Sequence, residues 1–520
     1  MIPLFTNNQV RAVDNFVIEQ LNFPSLLLME NAASSLFKII SEKNFLGSVP
    51  TTVGILCGKG NNGGDGFALA RKIAFAGHKV TVLHLSDKKE LSPDAKKNYE
   101  LLLSSTLLYK NIFIKKITKI GDVNILRSYD VIIDALLGSG TQGDLKGLLK
   151  EIVEKINTFS TKKIAVDVPT GLNADTGYGA TIFEADLTIT LGALKRGLFF
   201  GNGYDASGVV EKGDLGVGEK YFQEETSEDF LVEKNDVKTF IPLKGKNLNK
   251  YSAGKVFLIA GSKEYGGAAV LSSSAAFKSG AGAVILAIPD ALQKILLQKR
   301  PETVIQFYGK QNTEYLSSEF YSSLKEKISW SDVIAIGPGL GRHDETMEFV
   351  RVLLRKHSNK KIVIDADALY ALRKKEYRNY KLKNVVFTPH LGEFSILIDV
   401  DKSLVAKDLL FYGKEFVKET KSTLVLKGPR TIVFTANGFA FINPTGNPGL
   451  AKFGSGDVLT GMIASFLAHL KNVQHAVLNA VYIHGLAADQ LKEKKSAYGF
   501  TAGDIADQIP FTLKELNSAL

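Results

Sequence analysis

The sequence predicts an α/β protein made of two successive domains. In the first half of the chain, short apolar segments typical of buried strands alternate with helical segments, a pattern typical of parallel sheets covered on both faces. The charged, irregular segment Glu219–Asp236 interrupts this pattern, and a second series of apolar strand segments follows it. Together these observations favour two α/β domains, which we place at residues 1–220 and 221–520.

The first domain is predicted to hold at least five strands around one clear helix, Asp65–Ala76. A glycine-rich turn separates this helix from the strand before it. The predicted strands are Thr51–Cys57, Lys79–Leu85, Asp130–Leu137, Lys163–Val168 and Leu187–Leu191. Several of these strands end in loops with polar residues, and ligands of open α/β sheets bind beyond the carboxyl ends of the strands.

The second domain is predicted to combine a parallel sheet with a late antiparallel hairpin. The hairpin is indicated by Ala436-Asn-Gly438, since Asn-Gly favours the tight turns that join antiparallel strands. The strands Thr431–Phe434 and Phe439–Ile442 flank that turn. The parallel strands are predicted at Lys255–Ala260, Ala283–Ile288, Val333–Ile336, Lys361–Ile364, Val385–Thr388 and Thr423–Leu426.

Composition narrows the class of protein. The 520 residues are 45% hydrophobic and 23% charged, as in ordinary globular proteins, and the net charge of +10 shows no basic block interleaved with aromatics. We therefore expect no nucleic-acid partner. Cys57 is the single cysteine, so a disulfide framework and a cysteine-based metal site are excluded. The first twenty residues lack a signal-peptide core, and Asn and Pro residues interrupt the uncharged run 431–451. A cytoplasmic protein without a membrane span is expected.

Three loops at strand ends of the first domain carry candidate ligand-binding groups. Gly58–Gly66 holds Asn61, Asn62 and Asp65, whose oxygens suit an alkali or alkaline-earth cation. The other two are Asp134–Gly143, a carboxylate followed by glycines, and Asp167–Asn173, which contains Pro169 and Thr170. Three unrelated turns are the structural alternative, because Asp is a common turn residue.

The first of these loops also permits a dinucleotide-binding interpretation. Gly58, Gly60 and Gly63 form a literal G-x-G-x-x-G motif, and Asp87 follows the next predicted strand. The loop holds more polar groups than a pyrophosphate turn needs, which argues against this interpretation. Because the motif is nonetheless present, an NAD-dependent dehydrogenase stays open as an alternative.

The segment Asn443–Gly461 is the most informative part of the second domain. Glycines allow backbone N–H groups to approach an anion, and the following helical pattern places a helix N-terminus there. Asp457 is the only acid in the segment, so it would stand beside a bound phosphate and could act as a base in phosphoryl transfer. The structural alternative is a glycine-rich turn in which Asp457 caps the helix.

Other loops of the second domain also follow predicted strands. Gly337–Gly341 is a Gly-Pro-Gly-Leu-Gly turn, and Asp365 and Asp367 end the next strand, where capping is an equal possibility for Asp367. Thr388–Glu393 contains His390. In Lys427–Thr431, Lys427 and backbone N–H groups could hold the phosphates of a nucleotide.

These motifs, taken together, resemble those of the NAD(P)H-hydrate repair enzymes. GKGNNGGDGFALAR, DALLGSGTQGDLKG, DVPTGLNADTG and the Leu28–Ala32 segment are similar to the family's epimerase domain. The second half resembles its ADP- or ATP-dependent dehydratase domain. The resemblance covers nearly the whole chain. It implies a Rossmann-like three-layer αβα domain followed by a ribokinase-like α/β domain.

The resemblance implies that the first domain interconverts the R and S epimers of NADHX and NADPHX, cofactors that carry a hydroxyl on carbon 6. A potassium site would carry over to Asn62, Asp134 and Thr170. We expect Asp167 to act as acid/base. The implied substrate contacts are Asn61, Asn62, Gly63, Gly64, Asp65, Gly138, Ser139, Gly140, Thr141, Gln142, Gly143, Asp144 and Asp167.

The resemblance implies that the second domain dehydrates the S form with ADP or ATP, assisted by Mg²⁺. Ala253, Gly339 and His390 would contact substrate, and Asp457 would deprotonate the carbon-6 hydroxyl. Phe453 departs from the family pattern, which often has a small residue there, and we expect it to narrow the phosphate loop. The implied nucleotide contacts are Lys427, Gly428, Pro429, Arg430, Thr431 and Gly456, with Asn447 and Gly454 completing the site.

Two further alternatives stay open from the residues. A ribokinase-like small-molecule kinase fused to a nucleotide-binding domain would use the same loop and the same base. A non-catalytic nucleotide-binding scaffold would not need Asp167 or Asp457. The family resemblance further implies a homo-oligomer.

Overall fold

In a computed structural model the chain forms two compact units, Pro3–Ser227 and Met1–Ile2 with Glu228–Leu520. The structure describes residues 1–140, 143–218, 220–223, 226–242, 245, 247–293, 302–310 and 313–518. Thr141 and Gln142, two of the expected substrate contacts, therefore lie outside the described residues. No helix among the described residues is both long enough and apolar enough to cross a bilayer.

The N-terminal unit is built on a parallel sheet of seven described strands in the order β4-β3-β2-β5-β6-β7-β8. After a first strand, β1 (Ile2–Leu4), the sheet strands are β2 (Thr52–Cys57), β3 (Lys79–His84), β4 (Ile112–Lys116), β5 (Val131–Ala135), β6 (Lys162–Val166), β7 (Leu187–Leu191) and β8 (Val209–Gly213). The helices are α1 (Asn7–Asn15), α2 (Ser25–Glu42), α3 (Asn61–Phe75), α4 (Pro93–Ser105), α5 (Gly147–Asn157), α6 (Gly201–Ala206) and α7 (Lys220–Gln223).

Alternate residues of the central strand β2 face two different apolar clusters. Ile55 and Cys57 pack in a cluster with residues of α2 and α3. Leu56 packs in the other cluster, which contains residues of α5. Because successive strand residues point to opposite faces, both faces of the sheet are covered, and the expected Rossmann-like three-layer αβα architecture is confirmed.

The direction of strand addition reverses beside β2. The chain runs from β2 to β3 and β4 on one side, and then returns to place β5, β6 and β7 on the other. Ligands of open α/β sheets bind where the strand order reverses, beyond the carboxyl ends of the strands. The loops after β2 and β5 begin at that point, and the loop after the neighbouring strand β6 begins at the same edge of the sheet.

The C-terminal unit is built on a mixed sheet whose own strands run in the order β9-β18-β17-β16-β15-β14-β13-β10-β11-β12. Its strands are β9 (Asp229–Leu231), β10 (Lys255–Ile259), β11 (Ala283–Pro289), β12 (Val304–Tyr308), β13 (Val333–Ile336), β14 (Lys361–Ile364), β15 (Val385–Phe387), β16 (Thr423–Leu426), β17 (Ile432–Phe434) and β18 (Ala440–Ile442). The pairs from β10 to β16 are parallel. The antiparallel β17–β18 pair, with Phe434 opposite Ala440, confirms the predicted hairpin.

The helices of this unit pack against the sheet and against one another. They are α8 (Lys234–Phe240), α9 (Gly266–Lys278), α10 (Tyr321–Trp330), α11 (Asp344–Lys356), α12 (Leu391–Ile398), α13 (Lys402–Lys407), α14 (Leu409–Thr420), α15 (Ser455–His469), α16 (Val473–Lys495) and α17 (Ala502–Ser518). A Cβ at Gly461 would lie 2.1 Å from the carbonyl oxygen of Ser272, so this glycine lets α15 approach α9 closely.

The predicted elements and the structure differ in two ways that bear on function. The helix expected from Asp65 begins at Asn61, so Asn61 and Asn62 belong to its first turn. The strands β1, β4, β8, β9 and β12 were not predicted. Of these, β4, β8 and β12 lie at sheet edges, where exposed positions such as Phe113 and Val304 mix with charged ones and obscure the apolar pattern.

Candidate active sites

Backbone contacts bring the loops of the N-terminal unit together. A Cβ at Gly58 would lie 1.8 Å from the carbonyl oxygen of Leu136, and one at Gly63 would lie 2.0 Å from that of Gly58. These glycines therefore hold the loop after β2 tightly against the loop after β5. The same contacts carry Asn62 and Asp65 to the carboxyl edge of the sheet.

Asp134 is a fully buried carboxylate at the end of β5. It accepts hydrogen bonds from the Thr170 hydroxyl (2.7 Å), the Thr170 amide (2.8 Å) and the Leu136 amide (3.1 Å). Burial nonetheless raises the pKa of Asp134 to about 6. Neither amide atom of the buried Asn62 side chain finds a partner among the described residues. A buried carboxylate and an unpartnered amide oxygen suit a bound cation.

Asp167 forms a buried ion pair that the sequence did not predict. Its Oδ1 lies 2.6 Å from Nζ of Lys195, and its Oδ2 accepts a 3.1 Å hydrogen bond from the Ser139 amide. Burial alone would raise the pKa of Asp167, but the Lys195 ammonium outweighs burial and lowers it. Asp167 also has a left-handed backbone with φ of 68°, a region that few residues other than glycine, asparagine and aspartate adopt.

Lys195 is held by the loop after β7. Its side chain is only 2% exposed, and its Nζ also donates to the Thr190 hydroxyl (3.2 Å) and the Leu191 carbonyl (3.0 Å). Three acceptors fix this ammonium beside Asp167. A lysine in a chain rich in lysine gives no signal in sequence, and only its place just after a buried strand could have indicated it.

A cleft of about 600 Å³ opens over these groups in the N-terminal unit. Of the expected contacts, it is lined by Asn61, Asn62, Asp65, Gly138, Ser139, Gly140 and Asp167. It is also lined by residues that were not predicted, among them Asp14 and Lys195. Burial, followed by the charge of Asp167, raises the pKa of Asp65.

Some expected contacts lie elsewhere. Gly143 and Asp144 line a separate pocket of about 90 Å³. Gly63 and Gly64 are buried in packing, and a Cβ at Gly64 would lie 2.6 Å from the sulfur of Met29. Asp87, the acid of the dehydrogenase alternative, pairs with Lys116 at 2.7 Å and does not line the cleft.

The C-terminal unit holds a second Asp–Lys pair, in which the aspartate is buried and the lysine is partly exposed. Asp365, just after β14, lies 2.7 Å from Nζ of Lys427, just after β16, and accepts a 2.6 Å hydrogen bond from the Thr460 hydroxyl on α15. Burial would lower the pKa of Lys427, but Asp365 and Glu393 outweigh burial and raise it. Thr460 was not predicted, because nothing in the sequence links it to a residue 95 positions earlier.

Asp457 stands in the first turn of α15, next to this pair. Burial, and then the charge of Asp365, raise the pKa of Asp457 to about 6. A Cβ at Gly456 would lie 3.4 Å from Nζ of Lys427, so the glycine keeps the space between the loop and the lysine open. The first N–H groups of a helix lack intrahelical partners and attract anions, so the arrangement suits a phosphate.

The rest of the expected nucleotide segment lies beside the pair. Gly428 and Pro429 are exposed, and Arg430 contacts the Pro444 carbonyl. The carbonyl of Thr431 accepts a 3.0 Å hydrogen bond from the Asn443 amide. This segment is therefore anchored at its end and accessible in its middle.

His390 and Lys427 occupy neighbouring strand ends. The Lys427 amide donates to the Pro389 carbonyl at 2.9 Å. Nδ1 of His390 accepts hydrogen bonds from the amides of Gly392 (3.0 Å) and Glu393 (3.2 Å), so the ring caps α12. Nε2 of His390 lies 3.4 Å from Oε1 of Glu393, and the side chain is 60% exposed, so the ring can still contact a ligand.

The two other expected substrate contacts are backbone positions. A Cβ at Gly339 would lie 2.7 Å from Cβ of Tyr265, so this position accepts only glycine without rearrangement. Ala253 is buried, and its methyl group packs close to Gly282. Asp367 accepts hydrogen bonds from the Gly341 amide (3.0 Å) and from Nε of Arg342 (2.9 Å), which gives it a structural role.

Phe453 does not narrow the phosphate loop as expected. Phe453 is fully exposed, so its ring packs against no part of the loop in this structure. Gly454 follows with φ of 91°, and a Cβ there would lie 2.5 Å from Leu271. Asn447 is fixed by Asp489 at 2.9 Å.

Comparisons with known proteins match both units. A family model described as NAD(P)H-hydrate dehydratase matches residues 256–511, and one described as YjeF-related protein N-terminus matches residues 25–197. The bifunctional NAD(P)H-hydrate repair enzyme Nnr of Dictyoglomus turgidum is 34% identical over 99% of both chains. The enzyme of the same name from Moorella thermoacetica is 34% identical over 99% of this chain and 97% of its own.

A solved structure supports the fold of the second unit. A ribokinase-like superfamily protein from Enterococcus faecalis V583 is 29% identical and has a TM-score of 0.50. The match covers 56% of this chain and 98% of that one. The expected ribokinase-like architecture is thereby confirmed.

Proposed function

The chain belongs to the family of bifunctional NAD(P)H-hydrate repair enzymes, and from this premise we infer what each unit does. The N-terminal unit interconverts the R and S epimers of hydrated NADH and NADPH. The C-terminal unit removes water from the S epimer at the expense of ADP or ATP, and releases phosphate with AMP or ADP. The observation that carries this function is the match of one chain, over almost its whole length, to enzymes with both activities.

The dehydratase chemistry is assigned to Asp457 and the loop before it. Hydroxide is a poor leaving group and phosphate a good one. Asp457 takes the proton of the carbon-6 hydroxyl as the terminal phosphoryl group of the nucleotide is transferred to that oxygen. Phosphate then departs with help from the ring nitrogen, a proton leaves carbon 5 to water, and the carbon 5–carbon 6 double bond of the reduced nicotinamide is restored. The N–H groups at the start of α15 stabilise the phosphoryl charge.

Lys427 and the exposed loop after it are assigned to nucleotide binding. The ammonium is already oriented by Asp365 at 2.7 Å and stands beside Gly456. Gly428, Pro429, Arg430 and Thr431 complete this contact. Mg²⁺ would arrive with the nucleotide and neutralise phosphate charge, held mainly by the phosphates, since Asp365 and Asp367 are bound to protein groups.

Substrate contacts in the dehydratase are assigned to His390, Gly339 and Ala253. The assignment is best supported for His390, because its ring is exposed beside the nucleotide-binding loop after Lys427. The boundary between the two activities is placed at residue 220. The division of the chain into compact units after Ser227 supports a boundary in that region.

The epimerase site is assigned to the cleft above Asp167. Asn61, Asn62, Asp65, Gly138, Ser139 and Gly140 line it, and Asp167 is the acid/base group. Gly63, Gly64, Gly143 and Asp144 are assigned to shaping the loops around it. Thr141 and Gln142 are also assigned to substrate.

A potassium ion is proposed at Asn62, Asp134 and Thr170. The buried carboxylate of Asp134 and the unpartnered amide of Asn62 support it. The ion would fix the two loops that carry Ser139 and Asp167. KCl should raise the melting temperature of the N-terminal unit more than LiCl at equal ionic strength, and Asn62→Leu should abolish the difference. Equal effects of both salts would contradict the site.

The function is tested with a mixture of the R and S hydrates of NADH and either ADP or ATP. Recovery of the absorbance of reduced nicotinamide is followed with time. Conversion of both epimers requires both activities, whereas conversion that stops at half means that the epimerase is inactive. Accumulation of a stable phosphorylated product would instead support a small-molecule kinase.

The family resemblance also bears on the oligomeric state and the cellular location of the protein. A homo-oligomer is proposed from the family, and sedimentation equilibrium of the full chain tests it. A cytoplasmic location is proposed as well, and fractionation of the source cells tests it.

A further inference from the structure

Asp14 is an unassigned carboxylate in the epimerase cleft. It lies near the end of α1, four residues after the buried Val10, so both side chains lie on the same face of the helix. Val10 and Asp14 both line the cleft. Asp14 is half-buried and accepts no hydrogen bond from the residues that the structure describes. A polar group in this situation is available to a ligand.

The positive charges that line the cleft do not neutralise its carboxylates when all of them are ionised. Asp14, Asp65 and Asp167 line the cleft, and Lys195 already pairs with Asp167. The other charged groups that line it are Arg11, Lys59 and Asp94. Arg11 is directed to the Gly140 carbonyl at 3.4 Å. Neighbouring carboxylates cannot all ionise easily, so part of this cluster keeps a proton near neutral pH.

Asp14 and Asp65, two acids of the cleft without a lysine partner among the described residues, differ in how far their pKa values are raised. Burial raises the pKa of Asp14 to about 6, with Lys195 lowering it and Asp167 raising it further. Asp65 is more deeply buried, and its pKa is raised well above its ordinary value. A general acid works best when its pKa is near the ambient pH, because it must both hold and release the proton. Asp14 meets this condition.

The epimerase reaction needs an acid and a base at the same carbon. The bond between carbon 6 and its hydroxyl oxygen breaks while the ring nitrogen supplies an electron pair. The hydroxyl takes a proton and leaves as water, and the ring becomes a cation with a double bond between carbon 6 and nitrogen. Water then adds to the opposite face and gives up a proton. Atoms and charge balance, because one proton is donated and one is recovered.

We propose that Asp14 is the general acid that protonates the departing carbon-6 hydroxyl, and that Asp167, paired with Lys195, accepts the proton of the incoming water. The inference rests on the proposed epimerase function of this cleft. The two carboxylates come from different elements, α1 and the loop after β6. Epimerisation requires the hydroxyl to leave from one face of the nicotinamide ring and water to add to the other. A proton donor and a proton acceptor on separate elements suit this requirement. Pairs of carboxylates with opposite environments commonly divide acid and base roles.

The first experiment compares the two epimers on one chain. Conversion of purified R-hydrate to NADH, with ATP and Mg²⁺, reports the epimerase, and conversion of S-hydrate reports the dehydratase. Asp14→Asn should slow R conversion at least about 100-fold, the usual scale of a lost general acid, and leave S conversion unchanged. Asp87→Asn, which removes a carboxylate of the same unit that does not line the cleft, is the matched control and should change R conversion less than about threefold.

The pH profile separates catalysis from a structural effect. Protonated Asp14 is the active form, so kcat/KM for R-hydrate should fall about tenfold per unit above pH 6 in the wild type. Asp14→Glu should retain such a limb, at a shifted pH. A wild-type profile that lacks this limb overturns the proposal even if Asp14→Asn fails to fold.

Isotope exchange tests the step itself. Incubation of R-hydrate with the wild-type chain in ¹⁸O-water, without nucleotide, should give S-hydrate labelled at carbon 6. Epimerisation without incorporation of label would overturn the proposal, as would an Asp14→Asn variant within about threefold of wild type. If the wild type does not convert R-hydrate at all, the proposed function fails, a result distinct from failure of the role of Asp14.

Discussion

The two units place the same electrostatic arrangement at the carboxyl ends of their strands. In the N-terminal unit Asp167 pairs with Lys195 at 2.6 Å, and in the C-terminal unit Asp365 pairs with Lys427 at 2.7 Å. Each pair is accompanied by a second carboxylate whose pKa is raised to about 6, namely Asp14 and Asp457. A paired acid and an unpaired acid therefore occur together twice in unrelated surroundings.

The two arrangements differ in what surrounds the unpaired acid. Asp457 stands among the free N–H groups at the start of α15, where an anion binds. Asp14 lies near the carboxyl end of α1, where no such N–H groups occur. In both sites the ion pair fixes the charge and the position of one aspartate. The surroundings of the second acid, Asp457 or Asp14, determine whether it accepts or donates a proton. This difference can be tested by breaking each part separately.

Breaking the ion pairs should give the largest effect. Lys195→Met leaves the buried Asp167 without a counter-charge and should lower the free energy of unfolding of the N-terminal unit by about 3–5 kcal/mol, with loss of R-hydrate conversion. Lys427→Met should destabilise its unit less, because the Lys427 side chain is 20% exposed and that of Lys195 is 2% exposed.

Fluorescence can assign the two transitions in urea. Trp330 is the single tryptophan and lies in the C-terminal unit, so its emission follows that unit, while circular dichroism follows both. If Lys427→Met proves more damaging than Lys195→Met, the comparison based on burial is wrong.

Asp457→Asn should remove the base of the dehydratase and leave the epimerase intact. We expect conversion of S-hydrate to fall about 100-fold to 1,000-fold, within the usual range for general-base catalysis. Interconversion of the epimers, followed by chromatography without nucleotide, should be unchanged. A small loss, within about threefold, would remove Asp457 from the proton-transfer step.

The pH dependence of the two activities should have opposite signs. Asp457 must be ionised to act as a base, so kcat/KM for S-hydrate should fall about tenfold per unit below pH 6. Asp14 must be protonated, so the corresponding value for R-hydrate should fall above pH 6. Parallel profiles for both epimers would show that the two unpaired acids do not have different roles.

Phe453→Ala should give the smallest effect. The exposed ring makes no packing contact, so the free energy of unfolding should change by about 0.5 kcal/mol or less. The KM for ATP should stay within about twofold. A larger change in KM, measured at saturating S-hydrate, would show that the ring folds over the bound nucleotide.

The sequence predicted the sheets and the loops that carry the sites, because glycine motifs such as Gly58–Gly66 and Gly454–Asp457 follow clear apolar strands. It did not predict Lys195, Thr460 or Asp14. These residues reach the sites from segments without a motif, and a lysine or a threonine has no distinctive spacing. Their importance arises from burial and from a partner far along the chain, which periodicity does not reveal.

Both paired acids lie where the backbone itself is unusual. Asp167 has φ of 68°, and Ala366, which follows Asp365, has φ of 46°. Backbone conformation therefore limits which amino acids positions 167 and 366 accept. At residue 167, aspartate combines a negative charge with tolerance of the left-handed region, whereas glutamate has the charge without that tolerance and asparagine the tolerance without the charge. No single substitution at position 167 therefore keeps both the negative charge and the left-handed backbone, so this position tolerates little change.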